Sequence, residues 1–433
     1  MREIGVAVIG MGTVGGGVIQ VLQDNGDEIA RRLGARLRLV QVADKDIDTD
    51  RGVAVDRSLL TTDARAAIDH PDVHIVVETI GGYEPAKTFL LQAMEKGKHV
   101  VTANKALLAV HGDEIFAAAR RCGVDVGFEA SVGGGIPILR AVREGMAANR
   151  VRSILGILNG TTNYILTEMK LKGESFDRVL REAQRLGYAE ADPTFDVEGI
   201  DAAHKVTLLA TMAFGCKVAF GGVFTEGISR ITPQDIQYAA DFGYDVKLLA
   251  VAKHDGKRVE ARVHPTMIPS SHLLADVRGV YNAIYVDCDF LGPSLYYGQG
   301  AGRRATASAV VGDVIELARN VVCGVSGRVP PRAYLEEELA AAELKPIEEV
   351  VCQYYLRFTA LDRPGVLSKI SGVLGEYNIS IESVVQKGRD AGQAVPLVIM
   401  THEAREADVR RALGEIETLG VTLGAPALIR IEG

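Results

Sequence analysis

Residues 187–205, GYAEADPTFDVEGIDAAHK, gather five acids, a histidine and a lysine around one proline, directly before the apolar run VTLLATMAF. Asp201 and Lys205 lie four positions apart, so a helix over 197–214 sets both on one face. Glu190, Asp192 and Asp196 come from the irregular stretch before it. An ammonium group held among carboxylates can anchor an amino-acid substrate and move a proton beside a carbonyl. Taken alone, the same residues also describe an acidic helix N-terminus with an ordinary ion pair, because acids favour that end of the helix dipole. The elements around the stretch decide between the two.

Those elements belong to a chain of 433 residues, a length that suits about three domains. Charged residues make up 24% and the net charge is −8, which gives no general electrostatic reason to bind nucleic acid or an anionic membrane. No apolar run approaches the roughly 20 residues of a membrane helix. The opening MREIGVAVIGMG reads as a first strand, because glycines and a helical pattern follow it rather than a cleavage site. Cys122, Cys216, Cys288, Cys323 and Cys352 are scattered and odd in number, suggesting neither a disulfide framework nor a zinc site. A cytoplasmic location is the expectation.

Residues 4–9 form a β-branched run fit for a strand buried on both faces. It leads into Gly10-Met11-Gly12-Thr13-Val14-Gly15 and a helical pattern over 18–33, and a second strand over 37–43 ends at Asp44. The first glycine permits the tight turn, the second lets backbone approach a pyrophosphate, and the third lets helix and strand pack closely. The helix N-terminus then offers free N–H groups to phosphate. Asp44 is placed to accept from ribose hydroxyls, which favours NAD, whereas Lys45 can pair with a 2′-phosphate, which favours NADP. Strands over 74–79, 98–102 and 124–129 alternate with helices over 84–96 and 106–121, the pattern of a doubly wound parallel sheet. Thr79-Ile80-Gly81-Gly82 and Thr102-Ala103-Asn104-Lys105 lie just past strand C-terminal ends, where such sheets bind ligands. Lys105 opens a helix, an electrostatically poor place for a cation, and this tilts it toward function.

Glu129 precedes Ala-Ser-Val-Gly-Gly-Gly-Ile-Pro, a glycine-dense turn that can aim several carbonyls at one point. Oxygen-only ligation suits a hard cation, although spacing alone equally describes a flexible inter-domain turn. A strand over 151–158 then ends in Asn159-Gly160-Thr161-Thr162-Asn163, which reads either as a helix cap or as a loop that holds a small polar ligand.

Together, GMGTVG at 10–15, TANK at 102–105, EASVGGGIP at 129–137, NGTTNYIL at 159–166, the long motif at 186–205, GAGR at 300–303 and TASAVVGD at 306–313 resemble homoserine dehydrogenase over about residues 1–330. The resemblance implies NAD(P)H-dependent interconversion of L-aspartate 4-semialdehyde and L-homoserine, within threonine, methionine and isoleucine biosynthesis. It implies Lys205 as proton donor and Lys105 as a second active-site lysine. Asp201, Glu190, Asp196, Gly160 and Thr161 would hold substrate. Gly10, Gly12, Thr13, Val14, Gly15, Asp44, Lys45, Thr79, Lys105, Gly187, Glu190 and Gly302 would line the cofactor. Glu129 with the main-chain carbonyls of Val132, Gly134 and Ile136 would bind sodium or potassium. The usual proline after GAGR is absent, and Lys45 stands where many relatives carry arginine. No kinase-like segment precedes the first strand, so the expectation is a monofunctional enzyme working as a homodimer or homotetramer.

Composition shifts at Val329-Pro330-Pro331 and through an acidic stretch at 336–349. Beyond it, a strand over 354–360, the turn Asp362-Arg363-Pro364-Gly365-Val366-Leu367, a helix to about residue 377, strands over 378–385 and 395–401, a helix over 406–419 and a strand over 427–431 resemble an ACT domain. The resemblance implies a regulatory module for a small amino acid, with Gly365, Val366, Leu367 and Asn378 as contacts and threonine as effector. A module that only dimerises is the alternative. The expected fold class is α/β, with an N-terminal Rossmann-type doubly wound parallel sheet, an α+β catalytic and dimerisation domain and a C-terminal ferredoxin-like ACT domain. A Rossmann domain over 1–130 is completed by about 304–325, a catalytic and dimerisation domain spans 131–303, a linker 326–352, and a ferredoxin-like βαββαβ domain 353–431. Deleting residues 350–433 is expected to spare catalysis and remove the effector response. Other classes fit less well. A 3-phosphoglycerate dehydrogenase places its glycine loop well inside the chain, an aspartate-semialdehyde dehydrogenase needs a nucleophilic cysteine, and a nucleotide-bound amino-acid sensor has no use for Lys205, Asp201 and Lys105.

Overall fold

Six runs rich in β-branched residues pair side by side in the computed structural model, which describes residues 1–387 and 394–433. The strands Leu60–Thr61, Arg36–Ala43, Glu3–Ile9, Val73–Glu78, His99–Thr102 and Val126–Gly127 lie in that order, every pairing parallel. In sequence rank this is 3-2-1-4-5-6, the order of a dinucleotide-binding sheet. Ile4, Val6, Val8, Ile75 and Val77 are fully buried, as strands covered on both faces require. The chain divides into two compact units, and this sheet lies in the first, which comprises Met1–Leu158, His204–Gly221 and Tyr281–Ala342.

Helix Arg303–Cys323 packs in the same unit against helix Thr13–Asp24, and Ala307, Val310, Val311 and Val314 join Val18, Ile19 and the central strand in one core. A late segment therefore completes the early domain. The helix expected over 18–33 is two helices, Thr13–Asp24 and Gly26–Leu33, parted at Asn25. The strand expected over 124–129 shrinks to Val126–Gly127, because at Glu129–Ser131 the backbone already coils. The stretch read as a linker is tied down where it belongs to this unit. Ala340–Ala341 pairs with Cys216–Lys217, and buried Arg332 forms ion pairs with Asp113 (2.6 Å) and Glu336. A three-stranded antiparallel piece, Val151–Ile157, Tyr281–Cys288 and Gly292–Gln299, completes the unit.

The second unit comprises Asn159–Ala203, Gly222–Val280 and Glu343–Gly433. Its sheet runs Tyr244–His254, Val259–Pro269, Ala427–Ile431, Val351–Leu361, Ala394–Thr401, Ile381–Gln386. The last four strands, with helices Val366–Glu376 and Glu406–Thr418, make the βαββαβ module. Its terminal strand is shared: Ala427–Ile431 pairs antiparallel with Val351–Leu361 and parallel with Val259–Pro269, through Thr266↔Arg430 and Met267↔Ile431. Two fully buried guanidinium groups fasten this seam. Arg430 meets Glu406 at 2.6 and 2.8 Å and Glu226 at 2.9 Å. Arg262 pairs with Glu260 at 2.6 Å and with Glu432, and its Nη1 lies 2.6 Å from His264 Nε2. Burial, then the charges of Arg430 and Arg262, hold His264 well below its ordinary pKa, so it is neutral.

Lys247, 4% exposed on strand Tyr244–His254, donates to the Val277 carbonyl and has its pKa pulled down to about 8 by burial against the opposing field of Asp245. An unfolded lysine titrates near 10.4, so between about pH 8 and 10.4 the unfolded state binds more protons and stability rises with pH. Lys247→Met is expected to lose that rise, flattening the urea-unfolding stability across the window by up to roughly 3 kcal/mol. Parallel pH curves for the two proteins would refute the assignment.

Candidate functional site

The nucleotide loop is set by backbone contact. Gly10 N–H donates to the Ala43 carbonyl at 2.8 Å, and Met11 N–H donates to Asp44 Oδ2. Asp44 Oδ1 accepts from Asp46 N–H at 2.9 Å, so the carboxylate at the second strand's end is held beside the loop, while Lys45 is exposed. Gly12 is the N-cap of helix Thr13–Asp24, and a side chain built on it would meet nothing within 4 Å. That open space before free helix N–H groups fits a pyrophosphate. Gly15 is the opposite case, since an added Cβ would fall 1.8 Å from the Gly10 carbonyl and 2.8 Å from Thr79 Oγ1. Gly15→Ala is therefore expected to displace the loop, weakening dinucleotide binding by about tenfold or more and costing about 1–3 kcal/mol of stability. Quenching or enhancement of reduced-nicotinamide fluorescence on titration checks it, and wild-type affinity would contradict it.

Glu78, fully buried at the end of its strand, was not singled out by sequence, yet it shapes two loops at once. It accepts from Ile80 N–H at 2.8 Å and Gly81 N–H at 3.1 Å, and from the Thr102 hydroxyl at 2.5 Å. Asn104 caps helix Lys105–Cys122 by accepting from Leu107 N–H at 3.1 Å and donates to the Gly82 carbonyl at 2.6 Å. Lys105 thus starts its helix beside the glycine-rich 79–82 loop. In the same unit Lys205 is buried, and its Nζ donates to the Leu158 carbonyl at 2.6 Å. Asp201 stands one turn earlier on helix Ile200–Phe214. The expected single helix over 197–214 is interrupted after Thr194–Val197, where Gly199 takes φ +81°.

In the second unit, one amide collects two carboxylates. Asn159 Nδ2 donates to Asp196 Oδ1 at 2.7 Å and to Asp201 Oδ2 at 2.9 Å. Thr161 Oγ1 lies 2.6 Å from the Tyr188 carbonyl and 3.1 Å from Asp196 Oδ2. Gly160 begins helix Gly160–Lys172. The structure does not bring Glu190 into this hydrogen-bonded group: it is exposed, and its carbonyl accepts from Gln184 at 3.1 Å. Gly187 and Gly302 are exposed glycines with φ of +77° and +110°, the second capping helix Arg303–Cys323.

The glycine-dense turn begins at a buried carboxylate. The Glu129 carboxylate accepts from Leu139 N–H and Arg140 N–H, each at 2.8 Å, so both of its oxygens cap a helix start. Burial, then the neighbouring Asp313 carboxylate, push its pKa up to about 7. Asp313 accepts from Glu129 N–H at 2.7 Å and from Arg140 at 3.2 Å. Each Glu129 carboxylate oxygen keeps acceptor capacity beyond its one N–H donor. Gly134 sits tightly against the Gly300 carbonyl. Among the described residues no group of three or more His, Cys, Asp or Glu side chains could hold a metal.

In the βαββαβ module, Ala360, Leu361, Asp362, Gly365, Val366 and Leu367 line an open cavity of about 490 Å³ together with Gln386 and Leu397. Asn378, expected there, is not in the lining. It occupies a left-handed turn after helix Val366–Glu376, at φ +57°, where its N–H caps the Gly375 carbonyl. Gln386, at the end of strand Ile381–Gln386, lines the cavity at a position that the sequence pattern did not mark.

Fold and site define a nucleotide-dependent oxidoreductase joined to an ACT module. The family described as homoserine dehydrogenase matches residues 137–315, its NAD-binding domain matches 10–129, and the ACT domain matches 354–421. Homoserine dehydrogenase from Neisseria gonorrhoeae is 47% identical over 432 residues, covering 100% of this chain and 99% of the relative, and that from Pseudomonas aeruginosa is also 47% identical with the same coverage. A crystal structure of a homoserine dehydrogenase from Thiobacillus denitrificans superposes with a TM-score of 0.94 at 49% identity, covering 100% of this chain and 99% of that one. A hyperthermophilic archaeal homoserine dehydrogenase in complex with NADPH covers 73% of this chain and 98% of its own, with a TM-score of 0.62 and 26% identity. The chain belongs to the homoserine dehydrogenase family.

Proposed function

We propose that this chain interconverts L-homoserine and L-aspartate 4-semialdehyde with NAD or NADP, and that Lys205 carries the proton. The observation that bears most on this reading is a buried ammonium group one helical turn from a buried carboxylate, Asp201, on the same helix. The bound nicotinamide supplies the hydride to C4 of the aldehyde, or receives it in the oxidative direction. Lys205 gives its proton to the carbonyl oxygen as that carbon is reduced, and takes it back from the homoserine hydroxyl on oxidation. Asp201 and Asp196 hold the substrate's ammonium group, with Gly160 and Thr161 at the helix start beside its carboxylate. Lys105 supplies a second positive charge near the reacting oxygen. Gly10, Gly12, Thr13, Val14 and Gly15 cradle the pyrophosphate, Asp44 and Lys45 meet the adenosine ribose, and Thr79, Gly187, Glu190 and Gly302 complete the cofactor contacts. Glu129, with the main-chain carbonyls of Val132, Gly134 and Ile136, would hold sodium or potassium.

The ACT module takes threonine in the cavity at Gly365, Val366 and Leu367 and thereby regulates synthesis of threonine, methionine and isoleucine. The enzyme works in the cytoplasm as a homodimer or homotetramer. Absorbance of reduced nicotinamide, followed with L-homoserine plus NAD or NADP in sodium or potassium buffer and with or without threonine, tests the reading. Turnover suppressed by threonine supports both the reaction and the effector. Turnover indifferent to threonine removes the effector, and no turnover with either cofactor leaves a nucleotide-bound amino-acid sensor.

A further inference from the structure

Asn159 does more than its place at a helix start requires. Its Oδ1 accepts from Thr162 N–H at 2.9 Å and from the Thr162 hydroxyl at 2.9 Å, the geometry of an N-cap on helix Gly160–Lys172. Those two donors settle which way the amide points, because a flipped amide would set its NH2 against a backbone N–H. Nδ2 is thereby aimed away from the cap, and its two hydrogens go to Asp196 Oδ1 at 2.7 Å and Asp201 Oδ2 at 2.9 Å. Asn159 is 5% exposed and Asp201 4%, so the charge-assisted bond between them forms out of water, where it holds direction well, while the bond to the half-buried Asp196 reaches toward the surface. Serine, threonine or aspartate would serve the cap equally. None of them offers two donors, and aspartate would add a third carboxylate to the pair.

We propose that Asn159 is a positioning residue for substrate, its amide clamping the Asp196 and Asp201 carboxylates into the one orientation that receives the homoserine ammonium group. The inference rests on the reading of Asp196 and Asp201 as substrate holders. Asn159 itself touches neither substrate nor cofactor; it acts through the two acids. The clamp also explains how an acid on the short helix Thr194–Val197 and an acid on the next helix keep a common register across the turn at Gly199.

Steady-state kinetics of the full-length chain, comparing wild type with Asn159→Ser and Asn159→Ala, separates clamp from cap. Serine keeps the cap, so its thermal midpoint is expected near wild type, whereas alanine loses stability. Both are expected to raise KM for homoserine about 10- to 100-fold while KM for the dinucleotide stays within about twofold. A serine variant with wild-type KM for homoserine would overturn the proposal and leave Asn159 as a cap alone. A serine variant in which both KM values rise together with loss of stability would overturn it as well, since a general loosening would then explain the defect. Absence of turnover in the wild-type protein would instead sink the underlying reading of the activity, an outcome visible before any variant is compared.

Discussion

Replacing Lys205 with alanine is expected to lower turnover by about 10²–10⁴-fold while leaving nicotinamide-nucleotide binding near wild type. The reduction places negative charge on the carbonyl oxygen as hydride arrives, and a donor positioned there removes that charge in the transition state. Lys205 is buried and already donates to a carbonyl, that of Leu158, so its ammonium is oriented before substrate enters. Alanine removes the donor and leaves the Leu158 carbonyl without its Nζ partner. The nucleotide loop at residues 10–15 is built from separate strand and helix ends, so its affinity is expected to survive. Equilibrium binding of reduced nicotinamide, measured beside kcat, distinguishes loss of chemistry from loss of fold. Wild-type kcat in Lys205→Ala would remove the lysine from the mechanism.

Arg430→Met is expected to destabilise the protein by about 3–5 kcal/mol, and Arg430→Met with Glu406→Met to recover most of it. The single change takes from Glu406, a carboxylate with no exposure, its two contacts to buried Arg430 at 2.6 and 2.8 Å, and leaves it the half-exposed Arg410 at 2.8 Å and the Tyr354 hydroxyl at 3.0 Å. The double change removes both charges, so no buried carboxylate is left uncompensated. Urea unfolding of the two variants measures the difference, and a single variant as stable as wild type would contradict the account. The same seam overturns the simple view of the C-terminal module as a detachable regulator. Ending the chain before residue 350 would open the edge of strand Val259–Pro269 and deprive fully buried Arg262 of Glu432. Such a truncation is expected to lose folding along with the effector response, so point variants in the module's cavity are the proper test of regulation.

The parts legible in the sequence are those with local signatures. Glycines at 10, 12 and 15 mark a strand-to-helix turn whatever the rest of the chain does, and the order of β-branched runs and helical periods identifies both the parallel sheet and the βαββαβ module. The parts that escaped are long-range. Nothing near residues 427–431 says that they pair with 259–269, more than 150 positions away, because a strand's composition does not name its neighbour. Gly292–Gln299 escaped because its residues face alternately outward and carry Gly, Pro and Ser at the start, which reads as loop. Asn159 carried a hint, an amide where a hydroxyl would cap as well, and Glu78 carried another, an acid closing an apolar strand. In each case the local partners lie two or three positions away but the further ones 24 to 42, so the full role emerges only once the chain is folded.

The most direct test of the central claim follows the hydrogen itself. L-Homoserine carrying two deuterons at C4 is mixed with the oxidised dinucleotide and a stoichiometric amount of the protein, and the reduced cofactor is examined by mass spectrometry. If the chain acts as proposed, one deuterium appears on the nicotinamide ring in every reduced molecule and the other remains on the aldehyde carbon. Reduced cofactor without deuterium, or labelled substrate returned unchanged with either dinucleotide, would contradict hydride transfer from homoserine C4 and the account built on it.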